Sequence, residues 1–400
     1  MRPADLYRSP NAIAGDYTMF RVSERLLFSG HSHQAWPDVA FEGQKQAFLD
    51  AAEFVDDKWK RAFEVADEVR AGWARLLDDT PQHVALGLNT HELVVRFISA
   101  LPLRARPRIV TTVGEYHSIR RLVDRLAEEG IEVHKEPIAP VATLAERVAR
   151  AVDDRTACAL VSSVLFQTGQ IVPNLRAVAD ACARHGAELL VDAYHHLNVV
   201  PFSVRDLGLE RAYVTGGGYK YCQLGDGNAF LRFPENCTLR PVVTGWFSEF
   251  ATKEGKIPNQ VLYGEGPARF GGATYDPTPN YRAREVLNFF ATRQLTPALL
   301  REVSQHQIGR VIERFDALDL DPAFIARDRS TRLEDMGGFL VLRTSRAPEV
   351  CCMWRGEGVW SDYRGDALRI GPAPYLSDAQ IDDAMARLGA AVTKLHARGR

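Results

Sequence analysis

The chain has 400 residues, 46% of them hydrophobic and 25% charged, with a formal net charge of −2. This is globular composition with ample material for a large core, and it gives no electrostatic reason to bind nucleic acid or an anionic membrane. No apolar run approaches the ~18 residues of a membrane span, the charged start is unlike a signal peptide, and six cysteines without a Cys-x-x-Cys pair suit a reducing cytoplasm.

In chain order, the first forty residues read as irregular, rich in Ser, His, Gly and Pro. Residues 56–77 carry Trp59, Phe63, Val69, Trp73 and Leu76 at three- and four-residue steps, which predicts a helix. From about residue 84 strands and helices alternate: strand 83–88, helix 92–101, strand 108–113, helix 118–130, then strands at 131–134, 157–163, 188–191 and 211–215. Short apolar strands between helices predict a largely parallel sheet covered on both faces. After Gly266 the pattern changes to a helix at 281–293, strands at 338–343 and 367–370, and a closing helix at 378–396. The expected organisation is an N-terminal segment (1–50) that packs near the active site and the small domain, a large domain (51–280) and a smaller α+β domain (281–400).

Asp192 closes the apolar run Leu189-Leu190-Val191, and Lys220 follows 28 residues later, after Gly216-Gly217-Gly218-Tyr219. Alone, the aspartate reads as a helix cap and the lysine as a surface charge. Together they suggest a site, because ligands of open α/β sheets bind outside the carboxyl ends of the strands. Glycines let the backbone approach a ligand closely, and a buried lysine can shed its charge to act as nucleophile and proton carrier. Pyridoxal phosphate needs this layout: a carboxylate keeps its pyridine nitrogen protonated, and a lysine holds it as an imine.

Further candidates follow. His195 lies three residues past Asp192, where it can reach the cofactor's ring oxygen or phosphate. Asn89-Thr90-His91 sits between a strand and a helix, where backbone N–H groups bind phosphate; with Glu92 it also reads as a capping box. His117, beside Tyr116, is the choice to cover the cofactor ring. Trp246 offers an indole N–H and Thr274 a hydroxyl to the phosphate. Arg369, on a short strand, suits a substrate carboxylate. His31-Ser32-His33 lacks the companions of a metal site, so no metal is expected. There is no Gly-x-Ser-x-Gly elbow and no nucleic-acid-reading module.

These segments resemble the fold type I enzymes that use pyridoxal phosphate, in the class V aminotransferase branch, and most nearly the kynureninases. The resemblance rests on Asp192-x-x-His195, Gly218-Tyr219-Lys220-Tyr221, Gly245-Trp246-Phe247, and Asp362-Tyr363-Arg364 followed by Arg369-Ile370-Gly371-Pro372-Ala373-Pro374-Tyr375. It implies a mostly parallel seven-stranded sheet between helices in the large domain. It makes Lys220 the Schiff-base lysine, Asp192 the ring-nitrogen partner and Arg369 the carboxylate binder. Tyr219 and Trp246 would reach the phosphate, with Tyr219 also a proton donor. It further implies a homodimer with shared active sites, Thr274 serving the neighbour's phosphate. The activity implied is cleavage of the Cβ–Cγ bond of kynurenine or a related β-acyl amino acid, giving alanine and an aromatic acid.

The substrate side departs from that pattern. Ser29-Gly30-His31-Ser32-His33-Gln34 replaces the family's Asp-Gly-Asn-Ser-Leu-Gly, leaving His31 and Ser32 near the substrate. Ser248-Glu249 stands where a histidine is usual, and Tyr275-Asp276-Pro277 where Asn-Pro-Pro is. The alternative is another class V enzyme acting on a different amino acid: an aminotransferase, a C–S lyase or a cysteine desulfurase. For a desulfurase, Cys351 and Cys352 precede Arg369 by 18 and 17 residues.

Overall fold

The computed structural model describes residues 1–250 and 257–398. After three 3-10 turns comes a two-residue strand, β1 (Leu26–Leu27), then helices α1 (Val39–Phe54) and α2 (Lys58–Leu77). An alternating stretch follows: β2 (Val84–Gly87), α3 (Thr90–Ser99), β3 (Arg108–Thr112), α4 (His117–Glu128), β4 (Glu132–Glu136), α5 (Leu144–Ala151), β5 (Thr156–Ser162), α6 (Leu175–His185), β6 (Glu188–Asp192), β7 (Tyr213–Gly217) and β8 (Ala229–Arg232). The C-terminal part holds α7 (Thr278–Thr292), α8 (Pro297–Ala317), β9 (Ala326–Arg327), β10 (Leu340–Arg343), α9 (Ala347–Gly356), β11 (Val359–Trp360), β12 (Asp362–Arg364), β13 (Ala367–Ile370) and α10 (Asp378–Arg398).

The large sheet runs β2-β8-β7-β6-β5-β3-β4. Every pairing is parallel except those of β8, which is antiparallel to both β2 and β7. β5 and β7 are buried at every position, as strands covered on both faces must be. The carboxyl ends of β3, β5, β6 and β7 therefore open on one edge, where Glu115, Ser162, Asp192 and Lys220 emerge.

A second, antiparallel sheet runs β12-β13-β10-β9, with Asp362 opposite Arg369. β1 pairs in parallel with β11, Leu26 against Val359, stitching the N-terminal segment to the C-terminal part. The Asn11 amide adds a 2.8 Å bond to the Pro374 carbonyl. α7 packs on α1 and α2, closely enough that a Cβ on Gly43 would stand 2.6 Å from the Tyr281 carbonyl oxygen. Among the described residues no helix is long and apolar enough to cross a membrane.

α2 follows its apolar spacing, burying Val65, Val69, Trp73 and Leu77. α1 has no counterpart in the sequence reading, for a physical reason. Its inward face is Ala40, Gly43, Ala47 and Asp50, while Phe41 and Phe48 point outward, so its apolar residues do not mark its buried side.

Candidate active site

Lys220 is 4% exposed, with Nζ 3.0 Å from His195 Nε2. Three tyrosine rings box it in, their centroids 4.5 Å (Tyr194), 5.1 Å (Tyr116) and 5.6 Å (Tyr219) from Nζ. Burial lowers its pKa to about 7, against the pull of the Asp192 carboxylate. Asp192 is shifted upward by burial, partly offset by the Tyr194 N–H donating to Oδ1 at 2.8 Å. His195 is held well below its ordinary pKa by burial and by the lysine's charge, so it is a neutral imidazole that can accept from Nζ. The glycines before Lys220 serve packing, since none of Gly216 to Gly218 has a positive φ. A Cβ on Gly217 would meet the Tyr194 hydroxyl at 2.4 Å, and one on Gly218 would meet Leu224 Cβ at 2.5 Å.

Behind Asp192 lies a second acid that sequence reading missed. Glu115 accepts hydrogen bonds from Thr112 Oγ1 (2.7 Å) and Ser162 Oγ (2.6 Å), and burial pushes its pKa up to about 7. Ser162 stands opposite Asp192 in the β5–β6 register. Glu115 carries no sequence signal because it becomes Asp192's neighbour only through strand order.

On the substrate side, Phe339 is the hub. Its ring is 4.8 Å from that of His31, 6.0 Å from that of His195 and 5.8 Å from Arg369 Cζ. Arg369 is 3% exposed and clasped by Asp362, while Nη1 donates to the Phe166 carbonyl at 3.0 Å. His31 Nε2 also bonds Asp362, at 2.6 Å. Ser32 turns instead to His33, its Oγ 3.4 Å from Nδ1.

The remaining candidates are more dispersed. Asn89 caps α3, its side chain accepting from the Glu92 N–H at 2.9 Å, with Thr90 and His91 in the first turn. His117 starts α4 with its ring 5.4 Å from Phe166, and its buried Nδ1 has no partner among the described residues. Tyr116 also provides a ring facing the lysine. Trp246 Nε1 donates to Thr274 Oγ1 at 3.2 Å, yet the indole is 57% exposed. A cavity of about 450 Å³ opens there, lined by Leu88, Glu92, Phe247 and Thr274, with neither Lys220 nor Asp192 on its wall. Within one chain the phosphate candidates Trp246 and Thr274 thus stand apart from the lysine group.

The donor set fits pyridoxal phosphate. A buried lysine near neutrality faces a carboxylate at the sheet edge, the His117 Nδ1, unpartnered among the described residues, follows the end of β3, and the ten-residue helix α3 begins after β2.

Comparison with known proteins agrees with this geometry. Residues 60–219 match the aminotransferase class-V family. An uncharacterized aminotransferase of Bacillus subtilis, YcbU, is 21% identical over 354 residues, covering 86% of this chain and 89% of that protein. The cysteine desulfurase IscS of Rickettsia felis is 20% identical over 338 residues, covering 82% and 80%. Among solved structures, a cysteine desulfurase from Thermococcus onnurineus superposes with a TM-score of 0.80 at 16% identity, covering 96% of this chain and 98% of that one. The cystine C–S lyase C-DES, in complex with its product cysteine persulfide, gives 0.79 at 19% identity, covering 92% and 98%. The fold is therefore fold type I of the enzymes that depend on pyridoxal phosphate.

The kynureninase reading is overturned by these findings. The similar proteins found are an uncharacterized aminotransferase, cysteine desulfurases and a C–S lyase rather than kynureninases. The motifs behind that reading are those expected to hold a cofactor and a carboxylate, and so say nothing of which bond breaks.

Proposed function

We propose that the protein is a pyridoxal-phosphate-dependent C–S lyase that breaks the Cβ–S bond of an S-substituted cysteine, working as a homodimer. The observation that carries this reading is Lys220, enclosed by three tyrosines and brought near neutrality beside a buried carboxylate. Similarity to cysteine desulfurases and to a cystine C–S lyase supports a sulfur-bearing substrate.

The cysteines favour sulfur leaving for solution over transfer to the protein. A sulfur acceptor must be an accessible thiolate. Burial pushes the thiols of Cys158, Cys182, Cys222 and Cys237 upward. Cys351 is also raised by burial and faces the Ser361 carbonyl from within α9. Cys352 is exposed but fixed in the same helix.

When bound, the cofactor supplies an electron sink for charge developing at the substrate Cα. Lys220 Nζ, available as a free amine near neutral pH, removes the Cα proton. The neutral His195 ring accepts a hydrogen bond from Nζ and so orients it. Asp192 holds the proton on the pyridine nitrogen. Tyr219, whose hydroxyl burial pushes above its ordinary pKa, keeps its proton at neutral pH and can deliver it to the departing sulfur. Tyr116 and Tyr194 exclude water from Nζ. Arg369 binds the carboxylate, and Asn89, Thr90 and His91 receive the phosphate, with Trp246 and with Thr274 of the second copy. In the overall reaction the Cβ–S electron pair leaves on sulfur, which gains a proton, and the three-carbon fragment takes up water to give pyruvate and ammonia.

The test is product analysis with L-cystine and L-cysteine. Pyruvate and ammonia in equal amounts, unchanged in the Cys351→Ala/Cys352→Ala double variant, are expected. Alanine as product, abolished in that variant, indicates a desulfurase; no reaction with either compound contradicts a sulfur substrate.

A further inference from the structure

Arg369 carries five N–H groups in a rigid fork, and Asp362 already fills one edge of it. Nε lies 2.9 Å from Oδ1, Nη2 donates to Oδ2, and Nη1 is held by the Phe166 carbonyl. A substrate carboxylate would make the same two-point pairing at that edge. Strand register is the cause: Asp362 is the cross-strand partner of Arg369 between β12 and β13, so both side chains stand on one face.

Arg364, two residues along β12, shares that face, with Nη1 3.4 Å from Asp362 Oδ2 and its side chain 42% exposed. From the other side His31 fixes Asp362. Burial lowers the His31 pKa to about 4, so it donates from Nε2 as a neutral ring. The charges of Arg369 and Asp362 cancel, and Arg364 is left as the net positive charge of the cluster. Burial is the main cause of the lowered pKa values of Lys220 and His117, and the Arg364 charge adds a smaller push in the same direction at both.

Resting on the lyase reading, we propose that Asp362 is a built-in rival of the substrate carboxylate: it occupies the Nε/Nη2 edge of Arg369, so the carboxylate binds the outer Nη1/Nη2 edge together with Arg364, the specificity-determining cation. Arg364 then strengthens carboxylate binding, and Asp362 weakens it by like charge. A residue that merely braced Arg369 would have the opposite sign.

The experiment titrates the cofactor-loaded enzyme with L-alanine and with L-alaninamide, following the shift of its visible absorbance band. Arg364→Gln is expected to weaken L-alanine binding about tenfold, and Asp362→Asn to tighten it by a similar factor. Arg364→Lys should restore most of the loss, and the uncharged amide should respond to none of these changes. Weaker L-alanine binding in Asp362→Asn, or unchanged binding in Arg364→Gln, overturns the proposal. An Asp362→Asn protein that no longer holds the cofactor also overturns it, because a rival of the substrate is dispensable for folding. A wild-type protein with no cofactor band fails the lyase reading itself, which separates the two failures.

Discussion

Burial, not a neighbouring cation, is the main cause of the lowered pKa of Lys220, the residue proposed to carry the chemistry. Lys220→Ala should abolish the visible cofactor band and lower turnover by about 10³-fold or more, as expected for loss of a proton-transfer group; a band that survived would assign the cofactor to another lysine. The shift also fixes a pH dependence in the cofactor-free protein. The unfolded lysine titrates near ~10.4 and the folded one at about 7, so between these values the unfolded chain binds more protons and stability rises with pH. Lys220→Met should therefore be more stable than wild type at pH 7, with the gap closing towards pH 9.5. Urea unfolding at the two pH values measures this, and a pH-independent gap would contradict a near-neutral lysine. Asp192 and Lys220 were legible in sequence because each is a local signal, an acid at a strand end and a lysine after glycines. Tyr194, Glu115 and the pairing of Asp362 with Arg369 were not, because each depends on which strands lie side by side.

Among the elements, the start of α3 holds a residue, Asn89, that caps the helix and is proposed to receive the phosphate as well. Asn89 satisfies the Glu92 N–H that the helix leaves open. Asn89→Ala should cost about 1 kcal/mol in urea unfolding and weaken cofactor affinity several-fold by fluorescence titration; unchanged affinity would place the phosphate elsewhere. α2 and α3 were predictable from their apolar spacing. α1 was not, since its inner face is made of small residues and its phenylalanines point outward. The reversed β8 was equally hidden, because a fully buried short strand carries no mark of direction.

For the molecule as a whole, the proposed homodimer can be tested at its outward apolar groups. Phe41 and Phe48 on α1 are exposed large side chains, as are Val242, Val243 and Trp246. Sedimentation should give about twice 44.6 kDa, and Phe41→Glu/Phe48→Glu should yield a monomer with weaker cofactor binding. A wild-type mass of 44.6 kDa would leave Thr274 without a neighbour's phosphate to serve. The layered α/β architecture was readable from alternating short strands and helices, and the N-terminal segment was expected beside the small domain, whereas its strand pairing of β1 with β11 was not readable, because two residues carry no pattern.

The whole account turns on Lys220 carrying pyridoxal phosphate beside Asp192. The most direct measurement is borohydride reduction of the loaded enzyme followed by mass mapping of its peptides. The account predicts one phosphopyridoxyl group per chain, on the peptide containing Lys220. Its appearance on any other lysine, or on none, would contradict the assignment of this site.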